Sequence, residues 1–555
     1  MKKVLLVYPP CFYARPQDED HLVMPIGLYY LGAFLKEKGF EVSLLNGHEV
    51  ELSAQAVERV LRRELPDVVG FSAFNANRVN VLKWARWVKE FLPSAHTVVG
   101  GVAATFMSEY FLAHSEVDFV IRGEGELTFL NLLKALEDKQ DLRQIKGLAF
   151  KQEGEIIITP EAEFIEDLDS LPNPARYFTY NHVLLGRGCP YNCVFCASPK
   201  FWQRKVRFHS ADYFVEQLKL LKAKGVNFFY FSDDTFTLKK DLVLRVCEKI
   251  KKEKLNINWF AISRVDALDE EIVKAMRLAG CIQISFGIES GDENIRKKLN
   301  KNITLEDARE AFKLCKKYSI LPRAYFIYGN PGESEKSIDR SIEFIEKTKP
   351  LNAIFYVLHV FPGTKLYEQL WQQGKIDASV WEKEGEDLLY FEVDKQLEAQ
   401  KVLGWGQKLK NYFYGNLGRY VLETRVEQQD KSFFPYHADF YSRLGMTFSH
   451  GDYAKRKEVK DSLQVAWELF VRSLEFQVNE RAFLGLAILA QKRGDYHTAK
   501  VLGEKGLAYF PQSKHLRICL GVSLLNLGQK EKARECFLPY ASEDEVARSY
   551  LEQCV

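Results

Sequence analysis

Short apolar runs alternate with amphipathic stretches of helical period along most of this 555-residue chain, and that alternation limits its fold more than any other feature. In residues 1–135 the apolar runs are 3–8, 40–45, 66–73, 96–101 and 117–123, each followed by a helical pattern such as 25–39. Five βα units predict a doubly wound, Rossmann-like parallel sheet. A second series starts at 181, with strands expected at 182–188, 227–234, 257–264, 281–290, 322–329 and 352–360. Six βα units predict a partial (β/α)6 TIM-type barrel over 181–380, with its site at the carboxyl ends of the strands. Between the two series, 136–180 is polar, holds a hairpin pattern turning at Glu153–Gly154 and two prolines, and reads as a linker. Beyond 380 the pattern is all-α: an aromatic helical region over 381–445, then 446–555.

Composition narrows the function classes. Lys plus Arg minus Asp plus Glu is 77 − 75 = +2, so no overall basic field argues for nucleic acid. No run of 18 apolar residues is present, so no transmembrane segment is expected. The start, MKKVLLVYPP, is too short an apolar run for a signal peptide and reads as a first strand. Ten cysteines with no disulfide-like spacing fit a reducing, cytoplasmic setting.

Three of those cysteines lie close together: Cys189, Cys193 and Cys196 in GRGCPYNCVFC, spaced C-x3-C-x2-C. Thiolates bind zinc or iron–sulfur clusters. A structural zinc site is closed by four ligands, usually as paired C-x2-C modules. No second C-x2-C occurs in the chain, although His182 and His209 flank the loop and could complete a zinc site. The other reading is a cubane with three irons held by protein and the fourth open to a cofactor. Polar residues also fall at the ends of the later barrel strands: Asp233 and Asp234, Arg264, Glu289 and Ser290, Gly329, and His359. In the N-terminal sheet the strand ends carry Ser72, Gly100–Gly101 and Gly123–Glu124–Gly125–Glu126. Glycines there let a large ligand approach the backbone, although βα turns are Gly-rich in any case. No G-x-G-x-x-G follows the first strand, which argues against a dinucleotide.

From 181 to about 370 the chain resembles the radical S-adenosylmethionine (SAM) superfamily. The likeness rests on the cysteine loop, FYFSDDTF, SRVD, SFGIESG, YGNPGE and FPGTKLYEQL. It implies a [4Fe-4S] cluster on Cys189, Cys193 and Cys196, with SAM on the open iron. Ser232, Asp233 and Asp234 would hold its amine, Arg264 its carboxylate and Glu289 its ribose, while Phe195 and Gly329 would cradle adenine. One electron from a donor would then give a 5′-deoxyadenosyl radical. PIGLYYLGAFLKEKGFEVSLL, VVGFSA, VVGG and VDFVIRGEGE resemble the cobalamin-binding domain that precedes many such cores. That likeness places a corrinoid over Ser72, Gly100, Gly101, Gly123 and Glu124. The family's axial-histidine motif D-x-H-x-x-G is absent: His48 follows the second strand, and His21 lies in the right loop without the motif. Together the two halves imply cobalamin-dependent methylation of an unactivated carbon, with rearrangement, cyclisation or C–C bond formation as the alternative.

Rival readings fare less well. A methylthiotransferase needs further N-terminal cysteines, and only Cys11 precedes Cys189. A maturase with an auxiliary cluster needs a cysteine-rich tail, whereas Cys519, Cys536 and Cys554 are widely spaced. A cobalamin-binding scaffold or sensor predicts a degraded barrel site. At the C-terminus, 484–500 aligns with 518–534 at an offset of 34, pairing Gly494 with Gly528 and Ala499 with Ala533. That is the tetratricopeptide (TPR) period, with a degenerate unit expected around 446–479, and such arrays offer surfaces to protein partners. The aromatic region either packs a core or covers an apolar substrate.

Overall fold

A computed structural model describes residues 3–11, 22–382, 387–427 and 429–554. His21 lies outside them. The five expected N-terminal strands form at Lys3–Tyr8 (β1), Glu41–Asn46 (β2), Val68–Ser72 (β3), His96–Gly100 (β4) and Phe119–Ile121 (β5). They are parallel in the order β2-β1-β3-β4-β5, so the topological switch lies between β1 and β3. Local chemistry sets the helices between them. Ser53 caps Ala54–Glu64 by accepting from the Ala56 amide, Val57 and Leu61 face inward, and Leu65 ends the helix in the left-handed conformation. The two faces of the sheet bury separate apolar layers, one around Val7, Phe71, Val99 and Phe111, the other around Leu6, Val98, Phe129 and Leu132.

The expected linker needs correction. The helix Gly125–Asp138 runs past 135, and the hairpin of Leu148–Gln152 (β6) and Glu155–Ile158 (β7) adds two antiparallel strands to the same sheet. Leu148, Ala149 and Phe150 are buried there, so the hairpin covers what would be an open edge at β5.

All six barrel strands form: His182–Val183 (β8), then, beyond the two-stranded ribbon of Gly186–Arg187 (β9) and Arg207–Phe208 (β10), Phe228–Phe231 (β11), Asn258–Ser263 (β12), Cys281–Glu289 (β13), Leu321–Tyr328 (β14) and Asn352–Val357 (β15). They are parallel and follow chain order, an open partial barrel. The first strand is much shorter than 182–188. The Asp233 carboxylate accepts from the amides of Leu185 and Gly186 (2.7–3.1 Å), which takes that backbone out of the sheet and into the ribbon. Ser210 caps the next helix, Ala211–Ala223, and Gly225 follows it at φ +92°.

The helical part begins later than expected. His359–Val360 (β16) and Leu388–Leu389 (β17) form a ribbon on the barrel, and the long helix Ala399–Glu423 follows. Its aromatics are core residues: Phe413 packs edge-on against Phe355, and the Tyr414 hydroxyl reaches the Ala353 carbonyl. The helix Phe434–Ser449 crosses the expected 445/446 boundary. Beyond it, helices Glu480–Lys492 and Tyr496–Tyr509 repeat as Lys514–Asn526 and Lys530–Phe537, each starting 34 residues later. Ser462–Phe476 extends that register backward from Tyr496, but the helix before it does not, since 480 − 34 = 446 falls inside Phe434–Ser449. No described helix is long and apolar enough to cross a membrane.

Candidate active site

The cysteine loop is the turn of the β9–β10 ribbon. Gly188 opens it at φ +105°, where a Cβ would meet the Lys205 carbonyl oxygen at 2.1 Å, so only glycine fits. Backbone bonds fix the loop to the barrel: Val194 donates to the Leu299 carbonyl and accepts from the Leu366 amide. Cys189, Cys193 and Cys196 are free thiols, partly exposed, and within electrostatic reach of one another. Burial pushes each thiol up, Cys196 to about 12. Lys301 pulls Cys193 down, and Arg264 pulls down both Cys189 and Cys193. Three thiols free of disulfides and edged by cations become thiolates when a metal neutralises them, so their chemistry suits a cluster. The zinc alternative loses His209, which is buried between Tyr30 and Tyr213 with Nδ1 on Asp169 and Nε2 on the Tyr30 hydroxyl. His182 bonds Ser232 Oγ through Nδ1 (2.9 Å), stacks on Tyr230 and lines the cavity between the barrel and the N-terminal sheet.

The expected SAM residues divide into two groups. Asp234 faces the cysteine loop and accepts from Ser198 Oγ (2.6 Å). Ser232 lines a cavity of about 510 Å³ between the barrel and the N-terminal sheet. Glu289, at φ +64°, pairs with buried Lys301 (3.0 Å), and Gly287 leaves the space that pair occupies, since a Cβ there would lie 2.2 Å from Glu289 Oε1. Asp233, Arg264 and Gly329 are used differently. Asp233 is occupied by Leu185 and Gly186, and burial raises its carboxyl to about 7. Arg264 holds Asp266 through two hydrogen bonds (2.8 and 2.9 Å), donates to the Asn302 carbonyl and stacks on Tyr191 at 3.5 Å. It therefore braces the cysteine loop from below. Gly329, at φ +79°, donates to Glu333, and Val402 blocks its Cβ side. Phe195 packs on Val194, Ile295 and Leu299.

At the N-terminal sheet, Ser72, Gly100, Gly101, Gly123 and Glu124 all line one cleft of about 290 Å³. Gly123 has nothing within 4 Å of its missing Cβ and Gly100 only Ile121 at 3.9 Å, so side chains there would intrude on the cleft, which fits a bulky cofactor. Gly101 serves packing instead, since its Cβ would meet the Ala73 oxygen at 2.8 Å. The Glu124 carboxylate is taken by Arg187, Arg207 and the Ile165 amide. His48 stacks at a tilt against Tyr8 and does not line the cleft. His359 Nδ1 bonds Asp387 Oδ2 (2.9 Å), and Asp387 also accepts from Asn75 at the rim of the larger cavity.

Lys301, Arg187 and Asp387 escaped sequence reasoning. Arg187 had a signal, since it stands two residues before Cys189. Lys301 and Asp387 had none, because each meets its partner only through the fold.

Both α/β halves of the chain are similar to known proteins. Residues 183–345 match the model of the radical SAM superfamily, and 20–133 match that of the B12 binding domain. An uncharacterized methyltransferase of Pyrococcus horikoshii is 32% identical over 394 residues, 69% of this chain and 86% of that protein. The anaerobic magnesium-protoporphyrin IX monomethyl ester cyclase of Cereibacter sphaeroides is 28% identical over 63% of this chain and 61% of its own length. Among solved structures, the radical SAM methyltransferase TsrM of Kitasatospora setae superposes with a TM-score of 0.59 at 19% identity, covering 67% of this chain and 76% of that one.

Proposed function

The chain belongs to the radical SAM enzymes that carry a B12-binding domain, with a [4Fe-4S] cluster, SAM and cobalamin as cofactors, and from that premise we propose that it methylates an unactivated carbon. When bound, these cofactors supply a 5′-deoxyadenosyl radical and a methyl group. The residues of this chain bind and orient them. Cys189, Cys193 and Cys196 hold three irons. Asp234 and Ser232 take the amine of SAM, and Glu289, held by Lys301, takes the ribose. Arg264 keeps the loop in place through Tyr191, with Phe195 as apolar backing. Gly100, Gly123 and Ser72 receive cobalamin. The observation that carries this reading is that the cavity of about 510 Å³ is lined from both domains: Phe74 and Val102 follow strand ends of the N-terminal sheet and Met107 closes the short helix after β4, while His182 and Ser232 come from the barrel. Its apolar walls suit an apolar substrate and exclude water from a radical.

The test is anaerobic. Protein with a reconstituted cluster should bind about four irons per chain and cleave SAM, and Cys193→Ala should abolish both. Candidate apolar substrates are then assayed for two products. Radical methylation yields 5′-deoxyadenosine and S-adenosylhomocysteine in equal amounts, because one SAM is cleaved and a second replaces the methyl group. 5′-Deoxyadenosine without S-adenosylhomocysteine would reject methylation in favour of cyclisation or rearrangement, the reading to which the cyclase relative points.

The paired helices of 480–537 are read as TPR-like, supported by their 34-residue offset and by Gly494 and Gly528 closing the first helix of each pair at φ +76° and +75°. They offer a surface for a protein partner. Removing 513–555, whose buried residues Leu520, Leu524, Ala533, Cys536 and Phe537 form a cluster of their own, should leave SAM cleavage intact and abolish binding of such a partner.

A further inference from the structure

The two strands that carry the cysteine loop are anchored to the cobalamin domain. Arg187 and Arg207 lie directly opposite each other in the β9–β10 ribbon. Both reach across to Glu124, Arg187 at 2.6 Å to one oxygen and Arg207 at 2.7 Å to the other. Arg187 also holds Glu126 at 2.8 Å. All four side chains are 4–7% exposed. Aromatic rings cover the arginines: Tyr30 lies 5.0 Å from Arg187, and Phe164 and Trp202 lie 4.7 and 5.3 Å from Arg207. Two positive and two negative charges balance, and none has water to turn to.

Several of these residues, with Tyr30 and Glu126 among them, wall the cleft. Gly123, Glu124 and Arg187 line it, and so do Phe201 and Trp202, which belong to the cysteine loop itself. Whatever fills the cleft therefore touches the Gly123–Glu124 turn on one side and the cysteine loop on the other. A buried charge cannot leave its partner cheaply, so when Glu124 moves, both arginines must follow. Arg187 is two residues from Cys189, and its strand is paired with the one that closes the loop, directly opposite Arg207, so a shift of the two arginines reaches both ends of the cysteine loop.

We propose that Arg187, Arg207 and Glu124 are positioning residues that couple occupancy of the cobalamin cleft to the geometry of the cluster loop, so that cobalamin and SAM bind cooperatively. The proposal rests on the reading of this cleft as the cobalamin site. Coupling of this kind is reciprocal, since each ligand changes the affinity of the other by the same factor.

The test uses the full chain with reconstituted cluster. The SAM dissociation constant is measured by anaerobic equilibrium dialysis with and without bound hydroxocobalamin, and that of hydroxocobalamin by absorbance with and without SAM. Both should tighten by one common factor of at least about five. In Arg187→Lys, which cannot bridge two carboxylates, and in Glu124→Gln, the factor should fall toward one with iron content unchanged. Glu163→Gln, which removes a surface pairing with Lys146, should keep the full factor. A wild-type factor of one, or a factor unchanged in both variants, overturns the proposal. Should a variant lose its iron, the wild-type factor alone decides. If hydroxocobalamin does not bind, the cleft assignment and the coupling both fall, whereas binding without effect on SAM removes only the coupling.

Discussion

Gly188 shows how much of this site depends on single atoms. A methyl group there meets a carbonyl oxygen at 2.1 Å in a conformation that side chains avoid. Gly188→Ala should cost on the order of 3 kcal/mol and lower the iron content of reconstituted protein. Gly154→Ala is the control. Its φ is also positive, at +87°, but nothing lies within 4 Å, so it should cost about 1 kcal/mol and leave iron unchanged. Thermal unfolding and iron analysis check both. The cysteines themselves were legible because their spacing is local. The jobs of Asp233 and Arg264 were not. A carboxylate at a strand end reads the same whether it faces a ligand or two backbone amides, and only the path of residues 184–187 makes the second true.

Among the elements, the helix Phe434–Ser449 depends on a histidine. His437 is buried, accepts or donates at Nδ1 to Ser319 Oγ (2.6 Å), and packs against Phe476. Burial lowers it to about 4. The unfolded chain takes up its proton near pH 6.5, so the folded state is favoured above that pH and loses the advantage as pH falls toward 4. Denaturant unfolding at pH 7.5 and 5 should show lower stability at the acid end, and His437→Gln should flatten that difference. The helices themselves were readable from period and caps, as Ser210 and Gly225 illustrate. The hairpin β6–β7 was readable as a hairpin, but its membership of the first sheet was not, since pairing with β5 is a long-range choice.

At the scale of the whole molecule, barrel and helices share one apolar core running from Ala175 to Leu489, while the N-terminal sheet buries its own two layers. Arg277 ties the shared part together. It donates to Asp439 (2.9 Å) and to the carbonyls of Tyr436 and Cys281, almost fully buried. Arg277→Met leaves Asp439 with Arg443 and Arg481 but removes the buried hydrogen bonds by which Arg277 joins Tyr436 and Asp439 of one helix to Cys281 of the barrel. It should cost about 1–3 kcal/mol and lower the unfolding midpoints of barrel and helices together. Calorimetry that finds the helical region melting separately would contradict the shared core.

The sequence by itself determined the two series of strands and helices, the three thiols, the strand-end glycines and the 34-residue offset, because each is a matter of period or spacing within a few turns of chain. Tertiary structure alone decided how those parts serve one another. It placed the Glu124 carboxylate between two arginines at the wall of the cleft, turned Arg264 onto Tyr191, and set buried Lys301 beside Glu289. Charged side chains gain most from partners that burial has stripped of water, and which partners those are depends on the packing of elements far apart in the chain.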